Sequence, residues 1–223
     1  MSLATYTDLK ASVADFLQRT DLTAVIPDFL NMAQSKMYYG HQTPPGVQLV
    51  PIKPLRIRQM MSSATVTPTT GGVFTISTAC DTKWVEFIEL TPTFNGAQSI
   101  DYLEPYEFKK RQDLLLDTTP PAVFYTIEGD VVYLAPAAVG TVRAAWYQKF
   151  TALSGASDTD WVLTNAPQVY LDGCLAEACK YLLDDREASF RASFAGGILG
   201  LNLNDQRARS SGALKRAIPR AVA

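Results

Sequence analysis

This sequence is short of the residues that do most enzymatic chemistry. It has one histidine, His41, in 223 residues. A single imidazole excludes the HExxH helix and every multi-histidine zinc site. His41 stands beside "TPPG" in an expected loop, and the chain has no nucleophile-elbow motif, so a Ser-His-Asp triad has no natural seat for it. Three cysteines (Cys80, Cys174, Cys179) form no CxxC pair, and the odd count fits a reducing interior better than a disulfide framework. Cys174 and Cys179 fall five apart on an expected helix and read as small core residues. No apolar run approaches the length of a membrane span. "MSLATYTDLK" lacks the charged-then-apolar pattern that directs secretion. The glycine pairs at 71–72 and 196–197 lack the context of a phosphate cradle. We therefore expect no catalytic residue, no cofactor, no metal and no enzyme.

An excess of charge of one sign is missing too. The 22 Asp and Glu nearly balance the 20 Lys and Arg, leaving −2, which argues against a general nucleic-acid binder. The balance fails locally. "QRARSSGALKRAIPRAVA" (206–223) carries Arg207, Arg209, Lys215, Arg216 and Arg220 and no acidic residue. By itself such a string is as readily a frayed, solvated end as a docking peptide. Two other clusters have plain explanations. "FKKRQ" (108–112) reads as a solvated helix face. Asp184, Asp185 and Glu187 form the densest group of carboxylates. A glycosidase needs two carboxylates across a cleft, but adjacent acids at a helix start suit capping and the helix dipole.

What the sequence has is periodicity. In 5–19, Thr5 and Asp8 have capping-box spacing, and Leu9, Val13, Phe16 and Leu17 mark one helical face. In 21–39, Pro27 suits a first turn, and Ile26, Leu30, Ala33 and Met37 recur along one side. "GHQTPPGVQLVPIKP" (40–54) has four prolines, so it reads as a long extended loop. From about 63 the runs turn short and β-rich: "ATVTP", "VFTIS", "KWVEFIEL", "SIDYL", then "VFYTI", "DVVYLA" and "TVRAAWYQKF", with "EGD" (128–130) as a hairpin turn. "PYEFKKRQDLL" (105–115) interrupts them as a helix. Helices return at 165–185, with Asn165 and Gln168 in cap spacing and Leu171, Leu175, Ala178 and Leu182 on one face. They continue at 186–209 with Phe190, Phe194, Ile198 and Leu201 in step. "GGILG" (196–200) suggests a close helix crossing.

Four apolar stripes are most simply buried against one another. The expected fold is α+β: a helical bundle built from the N- and C-terminal helices, 1–40 and 160–209. Between them lies 41–159, a Pro-rich arm followed by an inserted antiparallel β domain. An extended basic tail, 210–223, follows. The arm has no evident partner in its own chain, so Pro44, Pro45, Val47, Leu49, Pro51 and Ile52 are expected to lie on a neighbouring subunit.

In this order the segments resemble the head-to-tail adaptor proteins of tailed bacteriophages, of the short-tailed type. The resemblance rests on "ATYTDLKASVADFLQRTDLTAVIPDFLNMAQ" (4–34), "PPAVFYTIEGDVVYLAPAAVGTVRAAWYQKFTALS" (120–154) and "WVLTNAPQVYLDGCLAEACKYLLDD" (161–185). The Pro-rich 40–54 segment departs from the family, which runs more directly into a Leu-Arg-x-Arg stretch, here "LRIRQM" (55–60). So does "STACDTKWVEF" (77–87), where a Leu-Pro-x-Asp-Phe entry is the pattern. The resemblance implies a structural virion protein forming a ring, usually of twelve copies, at the neck of the particle and assembled in the host cytoplasm. The ring joins the portal protein to tail nozzle, tube or fibre proteins and continues the DNA channel without sequence-specific DNA binding and without a membrane. It also implies that the tail docks on the portal, with Leu214 and Ile218 as apolar anchors and Arg207, Arg209, Lys215, Arg216 and Arg220 setting register. Two other readings are a peptidoglycan-cleaving virion enzyme built on Asp184 and Asp185, and a receptor- or carbohydrate-binding β module suggested by scattered aromatics.

Overall fold

The computed structural model describes residues 3–43, 49–69, 71–93, 99–114, 124–136 and 140–210. Among them are seven helices and seven strands. The first part of the chain gives α1 (Tyr6–Leu17), α2 (Ile26–Tyr39), β1 (Met61–Val66), β2 (Val73–Thr75), α3 (Ile76–Ala79), β3 (Trp84–Pro92), β4 (Asp101–Tyr102) and α4 (Pro105–Leu114). Then follow β5 (Phe124–Glu128), β6 (Val131–Ala135), β7 (Val142–Gln148), α5 (Trp161–Asn165), α6 (Pro167–Leu182) and α7 (Glu187–Ser210). The fold is α+β, with N- and C-terminal helices and an inserted β region. It forms two compact units, Met1–Gln59 with Phe150–Ala223, and Met60–Lys149.

The helical unit takes in 41–59 and 150–159, stretches that sequence patterning groups with the insert. Hydrogen bonds explain the difference. Leu55 N donates to Met37 O at 2.8 Å, Tyr6 N to Asp158 O at 2.9 Å, and Thr7 N to Ala156 O at 3.2 Å. These loops satisfy their backbones on the helices rather than on strands.

Within this unit α6 is the central helix, packed by α1, α2, α5 and α7. It is buried all round from Val169 to Cys179, which is why its sequence shows apolar residues on more than one face. Its two acids there are satisfied: Gln168 Nε2 donates to Asp172 Oδ1 at 2.7 Å, and Lys36 Nζ pairs with Glu177. Cys174 and Cys179 are free thiols in this core. α1 starts with the expected capping box, Asp8 N donating to Thr5 Oγ1 at 3.2 Å and Thr5 N to Asp8 Oδ2 at 3.1 Å. Two details differ from the periodic reading. Phe16 is 53% exposed. Asn165 does not cap α6: it ends α5, its amide donating to Trp161 O at 2.8 Å, and α6 begins at Pro167 without a side-chain cap. Asp160 caps α5 instead, accepting from Leu163 N at 2.8 Å and from the buried Tyr170 hydroxyl at 2.5 Å.

Close packing at α6 gives a pair of opposite predictions. A Cβ on Gly173 would lie 3.0 Å from both Ala33 Cβ and Phe194 Cε2, whereas one on Gly200 would meet nothing within 4 Å. Gly173→Val should therefore destabilise the unit by ~1–3 kcal/mol through overpacking. Gly200→Ala should stabilise it by roughly 1 kcal/mol through helix propensity. Thermal unfolding followed by circular dichroism checks both signs.

The β unit holds two sheets, ordered β1-β7-β3 and β2-β6-β5-β4. All pairings are antiparallel except β4 with β5. Their inner faces share one core that includes Val66, Leu90 and Trp146 from the first sheet and Phe74, Val132 and Leu134 from the second. Bulges in β3 explain why its sequence does not alternate cleanly. At "EGD" the chain turns through Gly129 at φ 65°, left-handed backbone that favours glycine.

Candidate partner-docking surface

Residues 49–59 form an irregular strap in the helical unit, and α7 holds it. The buried positions of α7 run Arg191, Phe194, Ala195, Ile198 and Asp205. Of this stripe, Phe194, Ala195 and Ile198 are apolar and pack the core. Its polar members, with half-buried Asn202 between them, clasp the strap. Arg191 Nε donates to Val50 O at 3.0 Å. Asn202 makes two bonds, accepting from Arg56 N at 2.8 Å and donating to Pro54 O at 3.0 Å. At its start the strap closes on α2's C-terminal end, where His41 and Ile52 exchange both backbone hydrogen bonds, 2.8 and 3.0 Å. Burial, then the nearby cations Arg191, Lys36 and Lys180, lower the His41 pKa.

Asp205 is the hub of the far end. Its carboxylate accepts from Arg58 N (3.2 Å), Arg58 Nε (2.7 Å) and Arg209 Nε (2.7 Å), while its side chain is 6% exposed. Burial pushes its carboxyl up, but the bonds from Arg58 and Arg209 together outweigh that and hold it below the usual range. Arg56 lies alongside, donating to Tyr38 O at 2.8 Å and Leu55 O at 2.7 Å. A hollow of about 250 Å³ is lined by Arg56, Asp205 and Arg209 with Asn202 and Gln206. Arg58 and Arg209 thus share one carboxylate near the C-terminal end of α7, where cations also complement the helix dipole, and Arg207 is exposed on the same last turn. Charge is divided between the units as well. Met60–Lys149 has six basic against ten acidic residues, and the helical unit fourteen against twelve.

The expected site residues fall unevenly on this surface. Arg207 and Arg209 are not in an extended tail: α7 continues to Ser210, so both occupy its last turn, and Arg209 is committed to Asp205. Leu214, Lys215, Arg216, Ile218 and Arg220 lie outside the described residues, as do Pro44, Pro45 and Val47 in the arm. Leu49 is half-buried and Pro51 exposed. Ile52 is a correction. At 2% exposure it packs inside its own unit, because the His41 bridge turns it inward, and it is not free to reach a neighbour. Sequence patterning missed Arg56, Arg58, Asn202 and Asp205. The "LRIR" run was a visible signal, but its partners lie about 147 residues away. Asp184 does not suit a general acid. Its carboxylate is held by the Arg186 side chain and backbone, which lower its pKa.

No curated protein matches the chain. A family model described as SU10 adaptor protein matches residues 4–217, a span that takes in both units, the strap and the arginine cluster. The chain therefore belongs to the SU10 adaptor protein family, structural head-to-tail adaptors of short-tailed bacteriophages.

Proposed function

We propose that this adaptor forms a ring, of twelve copies, that docks beneath the portal and continues the DNA channel toward the tail. One observation carries the docking mode: the basic tail leaves α7 from an end already rich in arginine. Arg207 is exposed on the last turn of α7, and the sequence that follows carries Lys215, Arg216 and Arg220. A peptide that orders on binding is given a fixed starting point and a matching surface. The portal face it meets is acidic. The anionic β unit suits a different neighbour, or a channel wall past which DNA phosphates slide without sequence-specific contact. These assignments put the protein in the neck of the virion, assembled in the host cytoplasm.

The Pro-rich segment makes the contact between neighbouring copies, through Pro44, Pro45, Val47, Leu49 and Pro51. From Ile52 onward the strap stays with its own helices. The test is native mass of the protein mixed with portal protein. The full chain should give a complex with twelve adaptors. Replacing residues 43–50 by two glycines spares the His41–Ile52 bridge, and should keep the circular dichroism spectrum while abolishing the closed ring. Complete rings from that variant would remove the loop from the interface.

A further inference from the structure

The β unit holds a hollow of about 430 Å³ between α4 and its four-stranded sheet. The floor is one cross-strand row. Val73 is paired with Tyr133, and Tyr133 with Thr126, so the three side chains lie abreast across β2, β6 and β5. This face is turned away from the sandwich core, because Tyr125 and Ile127, on either side of Thr126, pack into that core. α4 forms the wall. Lys109 pairs with Glu128 at 3.5 Å and the Arg111 guanidinium lies 4.9 Å from the centroid of the Phe124 ring, which lays the helix along β5. Phe108 and Gln112, one turn apart, line the hollow from that side.

Thr126 is out of place in a purely structural sheet. It is 1% exposed, and its hydroxyl has no hydrogen-bond partner among the described residues. A buried hydroxyl left unbonded works against folding, and valine would fill the same strand position without that cost. Thr126 lies among the residues that line a hollow large enough for a small molecule.

The lining narrows the ligand class. Its one cation and one anion already pair with each other, so the hollow offers no net charge to a phosphate or a free carboxylate. A wholly apolar ligand would leave Thr126 and Gln112 unused. What remains is a neutral compound with several hydroxyls and an apolar ring face. The hydroxyls match Thr126, Gln112 and Glu128, and the ring face matches Tyr133 and Phe108. We propose that this hollow binds a single neutral sugar residue, independently of portal docking.

The test is titration of the full chain with glucose, galactose and N-acetylglucosamine, followed by NMR, with Thr126→Val and Gln112→Ala alongside. At least one sugar should bind saturably, and each variant should weaken it about tenfold, the effect of one lost hydrogen bond. Thr126→Val should keep or raise the melting temperature, which separates a binding role from a structural one. Gln112 is exposed, so its variant carries the test if the other fails to fold. A parallel titration with host surface polysaccharide fixes the source. Tighter binding than the monosaccharide assigns the site to cell-surface glycan, and equal binding to free sugar. No saturable binding of any of these, or unchanged affinity in both variants, overturns the proposal.

Discussion

Replacing Asp205 by Asn should lower the melting temperature of the helical unit by roughly 5–10 °C, a loss of about 2–3 kcal/mol at this chain length. The carboxylate accepts three hydrogen bonds and is almost fully buried. Charge-assisted bonds of this kind are each worth ~1.5–3 kcal/mol, but Arg58 and Arg209 are 49% and 39% exposed, so solvent screening reduces the sum. The variant also points an amide N–H at a guanidinium, leaving two donors facing each other. The pH dependence identifies the cause. A carboxyl held below its ordinary value contributes stability that is complete above about pH 4 and is lost as pH falls through the folded value. The wild-type advantage over Asp205→Asn should therefore shrink in acid. Asp184→Asn is the control, since its pair with Arg186 is solvent-exposed and should shift melting by little. Equal melting of wild type and Asp205→Asn near pH 7 would show that the strap is held by its other contacts, the Asn202 and Arg191 bonds among them, without the Asp205 carboxylate.

The contrast between Asp205 and the helices around it explains what sequence can disclose. The stripe Ile26, Leu30, Ala33 and Met37 is buried throughout, and the Thr5–Asp8 box forms, because both are encoded within a few residues. Phe16 sits in step with Leu9 and Val13 yet faces outward, since a stripe does not say how wide the neighbouring surface is. The cap at 160–167 went astray for a related reason. Asn165 suits a cap but ends α5 instead, and Asp160 caps that helix, held there by Tyr170 ten residues on. The docking surface was half legible. Its basic tail is a composition signal, but Arg56 and Arg58 look like ordinary loop arginines until folding brings Asn202 and Asp205 beneath them. Polar pairing across 146 or 147 residues leaves no periodic trace. Thr126 left none either, because a threonine in a strand is unremarkable until its hydroxyl is found without a partner.

Ending the chain at Ser210 should leave both units folded and reduce portal binding at least tenfold. The fold should survive because, among the described residues, the last buried one is Asp205 and its contacts to the strap end are made by Arg58 and Arg209, both kept in the shortened chain. Binding should suffer because the removed segment carries Lys215, Arg216 and Arg220 together with the apolar Leu214 and Ile218. The two kinds of contact separate by salt. Exposed ion pairs are screened over ~8–10 Å at ordinary ionic strength, so the charged share should fade as salt rises while the apolar share persists. Changing Arg216 and Arg220 to Glu should weaken binding more than changing both to Ala, since repulsion is added to lost attraction. Leu214→Asp should weaken it even at high salt. Arg207→Glu tests whether the docking surface reaches back onto α7. That side chain is exposed and makes no bond to Asp205, so its loss should reduce affinity without lowering the melting temperature. If the truncated chain binds portal as tightly as the full one, the tail is a frayed end, and the arginines around Asp205 serve only to hold the strap.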